Sequence, residues 1–229
     1  MNILALDTTA ESCSVALWRA GEVISQLEST PRTHTRRLMP MIRTLLHEQG
    51  LTPDALTAVA FGRGPGSFTG LRIAAGVAQG LAFGLNCPVV PVSSLAACAL
   101  QAGSQHGARH IAVAFDARMN EVYWGCFELV EGGLMACAEE RVCPPEQVSL
   151  PSGSGAKWLG AGDGWAFADR MPTQVSQQVS HCDTTQAPTA DAIVRLAAAD
   201  FAKGIHYDPA DAGPVYLRDS VAWQKLPGR

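Results

Sequence analysis

Residues 2–28 read NILALDTTAESCSVALWRAGEVISQLE, and residues 111–127 read IAVAFDARMNEVYWGCF. In each stretch an apolar run closes on an aspartate, Asp7 or Asp116. A polar turn follows, at 8–12 or 117–120, and then a second apolar run, at 15–18 or 122–127. Short runs of this kind, bounded by turn residues, predict strands. Gly21 marks a hairpin into a third strand at 22–28, and the second copy has a third strand near 134–138. The recurrence, at a spacing of about 109 residues, is the long-period self-similarity that a duplicated architecture leaves behind.

Beyond the first copy, residues 33–49 place Leu38, Met41, Ile42, Leu45 and Leu46 at helical spacing with arginines opposite. Thr33 is set to open this helix and Gly50 to close it. A strand at 56–61, a glycine-rich turn at 62–70, a helix at 67–85, a strand at 88–92 and a helix at 94–105 complete the first half. The second half is more irregular, with a Pro/Ser/Gly-rich loop at 143–155 and a strand at 157–160. A polar connector at 174–187 leads to a helix at 189–203. Three strands followed by alternating helices and strands is the ribonuclease-H-like order. Two copies predict an α/β protein of the actin-like (ASKHA) arrangement, two lobes of mixed sheets flanked by helices. The expected division is 1–105 for the first lobe, joined by the tail 214–229, and 106–213 for a smaller, degenerate second lobe.

Apolar residues make up 47% of the chain and charged residues 17%, a globular balance. The formal charge of −4 gives little basis for holding nucleic acid unaided. One local basic cluster, Arg32, His34, Arg36 and Arg37, reads as a solvated helix face. The 7 cysteines include no CxxC pair and several sit in apolar runs, which points to reduced thiols in the cytoplasm. The N-terminus lacks the basic start and cleavage pattern of a signal peptide. The most apolar stretch, 73–85, falls short of the ~20 residues of a membrane span. No membrane role is expected.

The stretch Gly62-Arg63-Gly64-Pro65-Gly66-Ser67-Phe68-Thr69-Gly70 follows a strand and opens a helix, where free backbone N–H groups can hold an anion. It lacks the GK[ST] ending of a Walker loop and the spacing of GxGxxG. A tight turn with Ser67 as N-cap is the alternative. Asp7 and Asp116, with Gly64, Gly66, Ser67 and Arg118, form the candidate remnant of a nucleotide or anion site. Arg118 and Met119 stand where slim residues would be needed to cradle a triphosphate, and Arg118 fits a structural ion pair equally well.

In the following helix Gly70, Ala74, Ala78 and Ala82 recur every fourth residue, and Gly76, Gly80 and Gly84 form a second small row. Each glycine costs roughly 1 kcal/mol against alanine inside a helix, so the rows need a reason. That reason is either close packing on the protein's own sheet or close approach of a partner helix. His106 and His110 are four apart, but glycines break the helix between them and no HExxH glutamate is present. No metal site is expected, and no Ser–His–Asp or Cys–His set stands out.

The segments ILALDTTAESCSVALW, HTRRLMPMI, GRGPGSFTGLRIAAGVAQGLA, DARMNEVYW and PVYLRDSVAWQKLPG together resemble the TsaB (YeaZ) family, nearly end to end and most thinly over 129–185. The resemblance implies the actin-like fold and a part in making threonylcarbamoyladenosine at position 37 of tRNA. It implies a non-catalytic subunit that binds its paralogue TsaD, is joined by the ATPase TsaE, forms a homodimer when alone, and meets tRNA through the complex. The docking face it implies lies on the two helices above, at Leu38, Met41, Ile42, Leu45, Gly70, Ala74, Val77, Ala78 and Leu81. TsaD carries metal-binding histidines in a V-N-H-x-E-x-H pattern. Ser94 and Cys98 stand in their places here, so neither metal nor peptidase chemistry is expected. No cofactor is expected either, a nucleotide having a place only at the partner interface. The competing expectation is an ATPase or kinase of the same fold.

Overall fold

The computed structural model describes residues 1–29, 33–151 and 155–218. The first sheet is built from β1 (Asn2–Asp7), β2 (Ser12–Arg19), β3 (Glu22–Ser29), β4 (Ala58–Gly64) and β5 (Val89–Ser93), in the order β3-β2-β1-β4-β5. The first three strands are antiparallel, while β1, β4 and β5 run parallel. The second sheet contains β6 (His110–Asp116), β7 (Val122–Val130), β8 (Gly133–Ala136), β10 (Trp158–Ala161) and β11 (Val179–Asp183). Its order β11-β10-β6-β7-β8 repeats the first, and the short β9 (Arg141–Cys143) pairs with β7. Asp7 and Asp116 close equivalent central strands. The duplication expected from the sequence is therefore a duplication of topology.

Between the strands lie α1 (His34–Glu48), α2 (Phe68–Leu85), α3 (Ser94–His106), α4 (Thr173–Gln178) and α5 (Ala190–Ala202). The Ser67 hydroxyl accepts from the Gly70 N–H and caps α2, and the Ser93 hydroxyl accepts from the Ala96 N–H and caps α3. Gly50 follows α1 at φ +61°, as a residue that closes a helix should.

The first sheet is buried on both faces, which explains why its central strands read as continuous apolar runs. Leu4, Leu6, Val15, Leu17, Val59 and Phe61 pack beneath α1 and α2. The opposite face is lined by small residues, Ala5, Ala16, Ala58 and Ala60, on which α5 sits with Ile193, Val194, Ala197 and Ala198. Conversely, α3 packs Leu95, Cys98, Ala99 and Ala102 against Ile111, Val113 and Phe127 of the second sheet. Trp124, Trp158, Trp165 and Val175 fill that sheet's outer face.

Each half thus covers the other half's sheet with its last helix. Packing therefore crosses the expected cut between 105 and 106. Helix α3 packs on the second sheet as well as the first, and α5 packs on the first. The expected polar connector at 174–187 also proves structured, holding α4 and the edge strand β11, whose residues are mostly exposed or half-buried.

Candidate functional site

The outward surface of α2 and the cleft between the lobes are two candidate places for function among the described residues. Helix α2 is 18 residues long and apolar enough, by length and composition, to cross a membrane. In this fold its Leu71, Ala74, Ala75, Ala78 and Ala82 instead seat it on the first sheet. The row Gly70–Ala74–Ala78–Ala82 is therefore internal packing. A Cβ on Gly70 would lie 1.8 Å from the Thr8 carbonyl oxygen, so only glycine lets the helix reach the β1–β2 turn.

The second row faces the other way. Gly76, Gly80 and Gly84 are exposed, and a Cβ on any of them would meet nothing within 4 Å. Arg72, Phe68 and Phe83 flank this row, and Phe83 is 81% exposed.

The structure places the expected docking residues mostly on the inner sides of the two helices. Leu38, Met41, Ile42 and Leu45 of α1, with Ala74 and Ala78, are at most 3% exposed and belong to the protein's own core, and Gly70 is buried beside them. Val77 and Leu81 are half-buried and pack against the same core. An amphipathic helix turns its apolar stripe toward the nearest sheet, so a sequence pattern finds the stripe and not the free face. On α1 that free face carries Arg36, Arg37, Pro40, Arg43, Thr44 and His47. Arg37 pairs with Glu28, its Nε 2.7 Å from the carboxylate, and Arg32 lies outside the described residues.

The interlobe cleft encloses about 1250 Å³ and is bordered by Thr9, Ser67, Phe68, Asp116, Arg118, Asp163 and Gln186, among others. The β1 aspartate does not face it freely. Asp7 is fully buried, and its carboxylate accepts from the Thr9 N–H at 3.1 Å and from the Thr9 hydroxyl at 2.9 Å. Burial pushes its pKa up to about 7 despite those hydrogen bonds. Gly62 is needed beneath it, since a Cβ there would lie 2.2 Å from the Asp7 Oδ2.

The glycine-rich loop is equally occupied. The Ser67 N–H donates to the Thr9 carbonyl at 2.9 Å, and the Gly70 N–H is taken by the Ser67 hydroxyl. Gly66 lies against the Thr9 backbone, where a Cβ would approach the carbonyl oxygen to 2.8 Å. Gly64 takes φ +106°. Two of the loop's donors are thus engaged, the Ser67 N–H in fastening the loop to the β1–β2 turn and the Gly70 N–H in capping α2.

On the second lobe, Asp116 accepts from the Arg118 N–H at 2.7 Å and lies 3.2 Å from the Arg118 Nη1. Its own N–H donates to the Asp163 carboxylate. Arg118, Met119 and Asn120 all adopt positive φ, a rare run for residues with side chains. Of the six candidate anion-site residues, Gly66 and Ser67 border the cleft on one rim and Asp116 and Arg118 on the other, while Asp7 and Gly64 are buried behind it.

Ser94 and Cys98 lie one turn apart on α3, both fully buried. The Ser94 hydroxyl approaches the Thr9 hydroxyl at 3.4 Å, and burial raises the Cys98 thiol far above its ordinary pKa. A thiol held protonated is a poor metal ligand. Among the described residues no three His, Cys, Asp or Glu are placed to hold a metal ion. His106 instead lies 3.0 Å from Asp183, and His110 packs on Trp158. Sequence reading overlooked Phe68, Phe83 and Tyr216 as surface residues. Their only signal was an aromatic side chain beside small or turn residues.

Residues 22–225 match the family model of TsaD, tRNA N6-adenosine threonylcarbamoyltransferase. The chain is 42% identical to the Escherichia coli tRNA threonylcarbamoyladenosine biosynthesis protein TsaB, over the whole of both chains. The solved structure of Pseudomonas aeruginosa YeaZ superposes with a TM-score of 0.89 at 48% identity, covering 94% of this chain and 99% of that one. Another Pseudomonas aeruginosa structure, of an uncharacterized protein described as similar to the peptidase YeaZ, gives 0.90 at 48% identity over 95% and 99%. Full-length identity at this level, on a fold that superposes over nearly the whole chain, places this chain in the TsaB (YeaZ) family of tRNA threonylcarbamoyladenosine biosynthesis proteins.

Proposed function

We propose that this chain serves threonylcarbamoyladenosine synthesis as a non-catalytic subunit that grips TsaD through the outward faces of α2 and α1. TsaE joins the pair, the chain forms a homodimer when alone, and tRNA is met through the assembled complex in the cytoplasm. One observation carries this reading. Gly76, Gly80 and Gly84 form an exposed groove on a helix, flanked by Phe83, and no group among the described residues packs on them. Three glycines at roughly 1 kcal/mol each are retained against helix propensity, which a close-packed partner helix accounts for.

The absence of chemistry in this chain is supported by the state of its cleft. Asp7 is enclosed, the Ser67 and Gly70 N–H groups are engaged, and the buried Ser94 and Cys98 stand where the resemblance puts the metal-binding histidines of TsaD. A nucleotide, where one takes part, belongs at the TsaD interface. The competing ATPase reading requires Asp7 to meet a metal–phosphate group through a wall of Thr9 and Gly62.

The test is Gly80→Leu, which adds bulk to the free face and leaves the buried one intact. Binding to TsaD falls at least tenfold and tRNA modification falls with it, while the melting temperature of the isolated chain does not drop. Wild-type affinity for TsaD would remove the docking face. Calorimetry of the isolated chain with Mg-ATP separates the other reading: heat of binding, or turnover lost in Asp7→Ala, would overturn non-catalytic status.

A further inference from the structure

Residues 205–218 follow α5 without forming a helix or a sheet strand of their own, yet they are fastened at each step. Tyr207 exchanges two backbone hydrogen bonds of 2.9 Å with Val89 at the start of β5. The Gln79 amide, a polar side chain in the apolar helix α2, donates to the carbonyls of Pro209 at 2.9 Å and Ala212 at 2.7 Å. Ala212 is buried in the core beneath α2. The Val215 N–H donates to the Arg63 carbonyl at 2.8 Å, beside the glycine-rich loop. The Tyr216 ring then lies 5.9 Å from Phe68, with the Arg72 guanidinium 3.4 Å above the Phe68 centroid and 5.7 Å from that of Tyr216. Three residues after Val215 the chain has reached the other lobe. Arg218 donates to the Ala117 carbonyl at 3.2 Å, pairs with Glu121, and lies 3.7 Å from the Met119 sulfur.

We propose that this segment is an interlobe strap, anchored on α2 by Gln79 and latched to the second lobe by Arg218, whose release opens the cleft. The strap forms one wall of the cleft through Val215, Tyr216, Leu217 and Arg218. Its far end clasps the turn that holds Arg118, Met119 and Asn120 at positive φ. The run of left-handed residues turns the Ala117 carbonyl and Glu121 toward Arg218, so the strained turn and the latch depend on one another. Closure and opening of domains around a cleft is a recurrent form of conformational change. Because Tyr216 rests on Phe68 and Arg72, release also changes the surface at the first turn of α2.

Hydrogen exchange on the full chain tests this, since it reads local opening segment by segment. Arg218→Ala should speed exchange at least tenfold both in residues 117–121 and at Val215, whose amide is bonded to the first lobe. Acceleration confined to 117–121, or none, would show that Arg218 is a local surface contact and no latch. Gln79→Met, which removes both anchoring hydrogen bonds and keeps the helix, should speed exchange in 209–215 and also in 117–121. If the second segment stays at the wild-type rate, the strap does not act as one piece and the proposal fails. Arg218→Lys, keeping the charge but losing the forked donor, should lie between wild type and alanine.

Discussion

Replacing Asp7 by asparagine isolates the energetic consequence of burying a carboxyl group at the head of the central strand. Burial lifts the pKa of Asp7 from an ordinary 3.8 to about 7. The folded protein therefore holds this proton more tightly than the unfolded chain does. Between about pH 4 and pH 7 the unfolded carboxyl is ionised and the folded one is still protonated, so stability falls as pH rises through that window. Above pH 7 both states are ionised and the full penalty, of about 4 kcal/mol, is present. Asparagine has nearly the same volume and keeps an oxygen to accept from the Thr9 N–H, but cannot ionise. The variant should match wild type near pH 4 and exceed it by up to about 4 kcal/mol at pH 8. Urea unfolding followed by tryptophan fluorescence at half-unit steps from pH 4.5 to 8 measures the difference. Subtracting the two curves cancels other titrating groups, such as Glu140, whose pKa is also raised by burial, and Asp183, whose pKa is lowered mainly by the Thr185 hydroxyl. A difference that stays constant across this range, or grows toward acid, would refute the reasoning.

Gly70→Ala should destabilise the fold by about 3 kcal/mol or more, because its Cβ lies inside the Thr8 carbonyl contact and backbone must move; denaturant midpoints show it. Ala78→Leu should cost about 1–3 kcal/mol by lifting α2 from the sheet, so lost TsaD binding in that variant would report misfolding and not a lost contact. Gly76→Ala, on the open face, should raise the stability of the isolated chain by roughly 0.5–1 kcal/mol when compared at equal protein concentration. Asp183→Ala removes the acceptor for the Thr185 N–H and hydroxyl, for Gln186 and for His106. It should lower stability by about 1–3 kcal/mol, visible as a lower melting temperature.

The strand triplet with its terminal aspartate, the helix periods and the two small-residue rows were all legible in the chain, because each rests on local spacing and residue type. The repeated sheet order follows from the same local signals, since strand–strand–strand and the crossovers after it leave few topologies open. What lay beyond reach was direction. Two small rows on α2 are chemically alike, and only the position of the sheet says that Gly70, Ala74 and Ala78 face inward and Gly76, Gly80 and Gly84 outward. The hydrophobic row of α1 turns inward for the same reason, an apolar stripe being the mark of a core face. Edge strand β11 went unread because one pairing neighbour and a half-exposed surface ask little of its sequence, VSHCD.

By itself, then, the sequence determined the elements, their duplication and the family to which they belong, all set by short-range patterning. The exchange of α3 and α5 between lobes, the sealing of Asp7 beneath Thr9 and Gly62, and the course of residues 205–218 from Gln79 to Glu121 were decided only in three dimensions. Each joins groups many tens of residues apart in the chain, and which of them meet is selected by close packing and hydrogen-bond satisfaction in the folded whole.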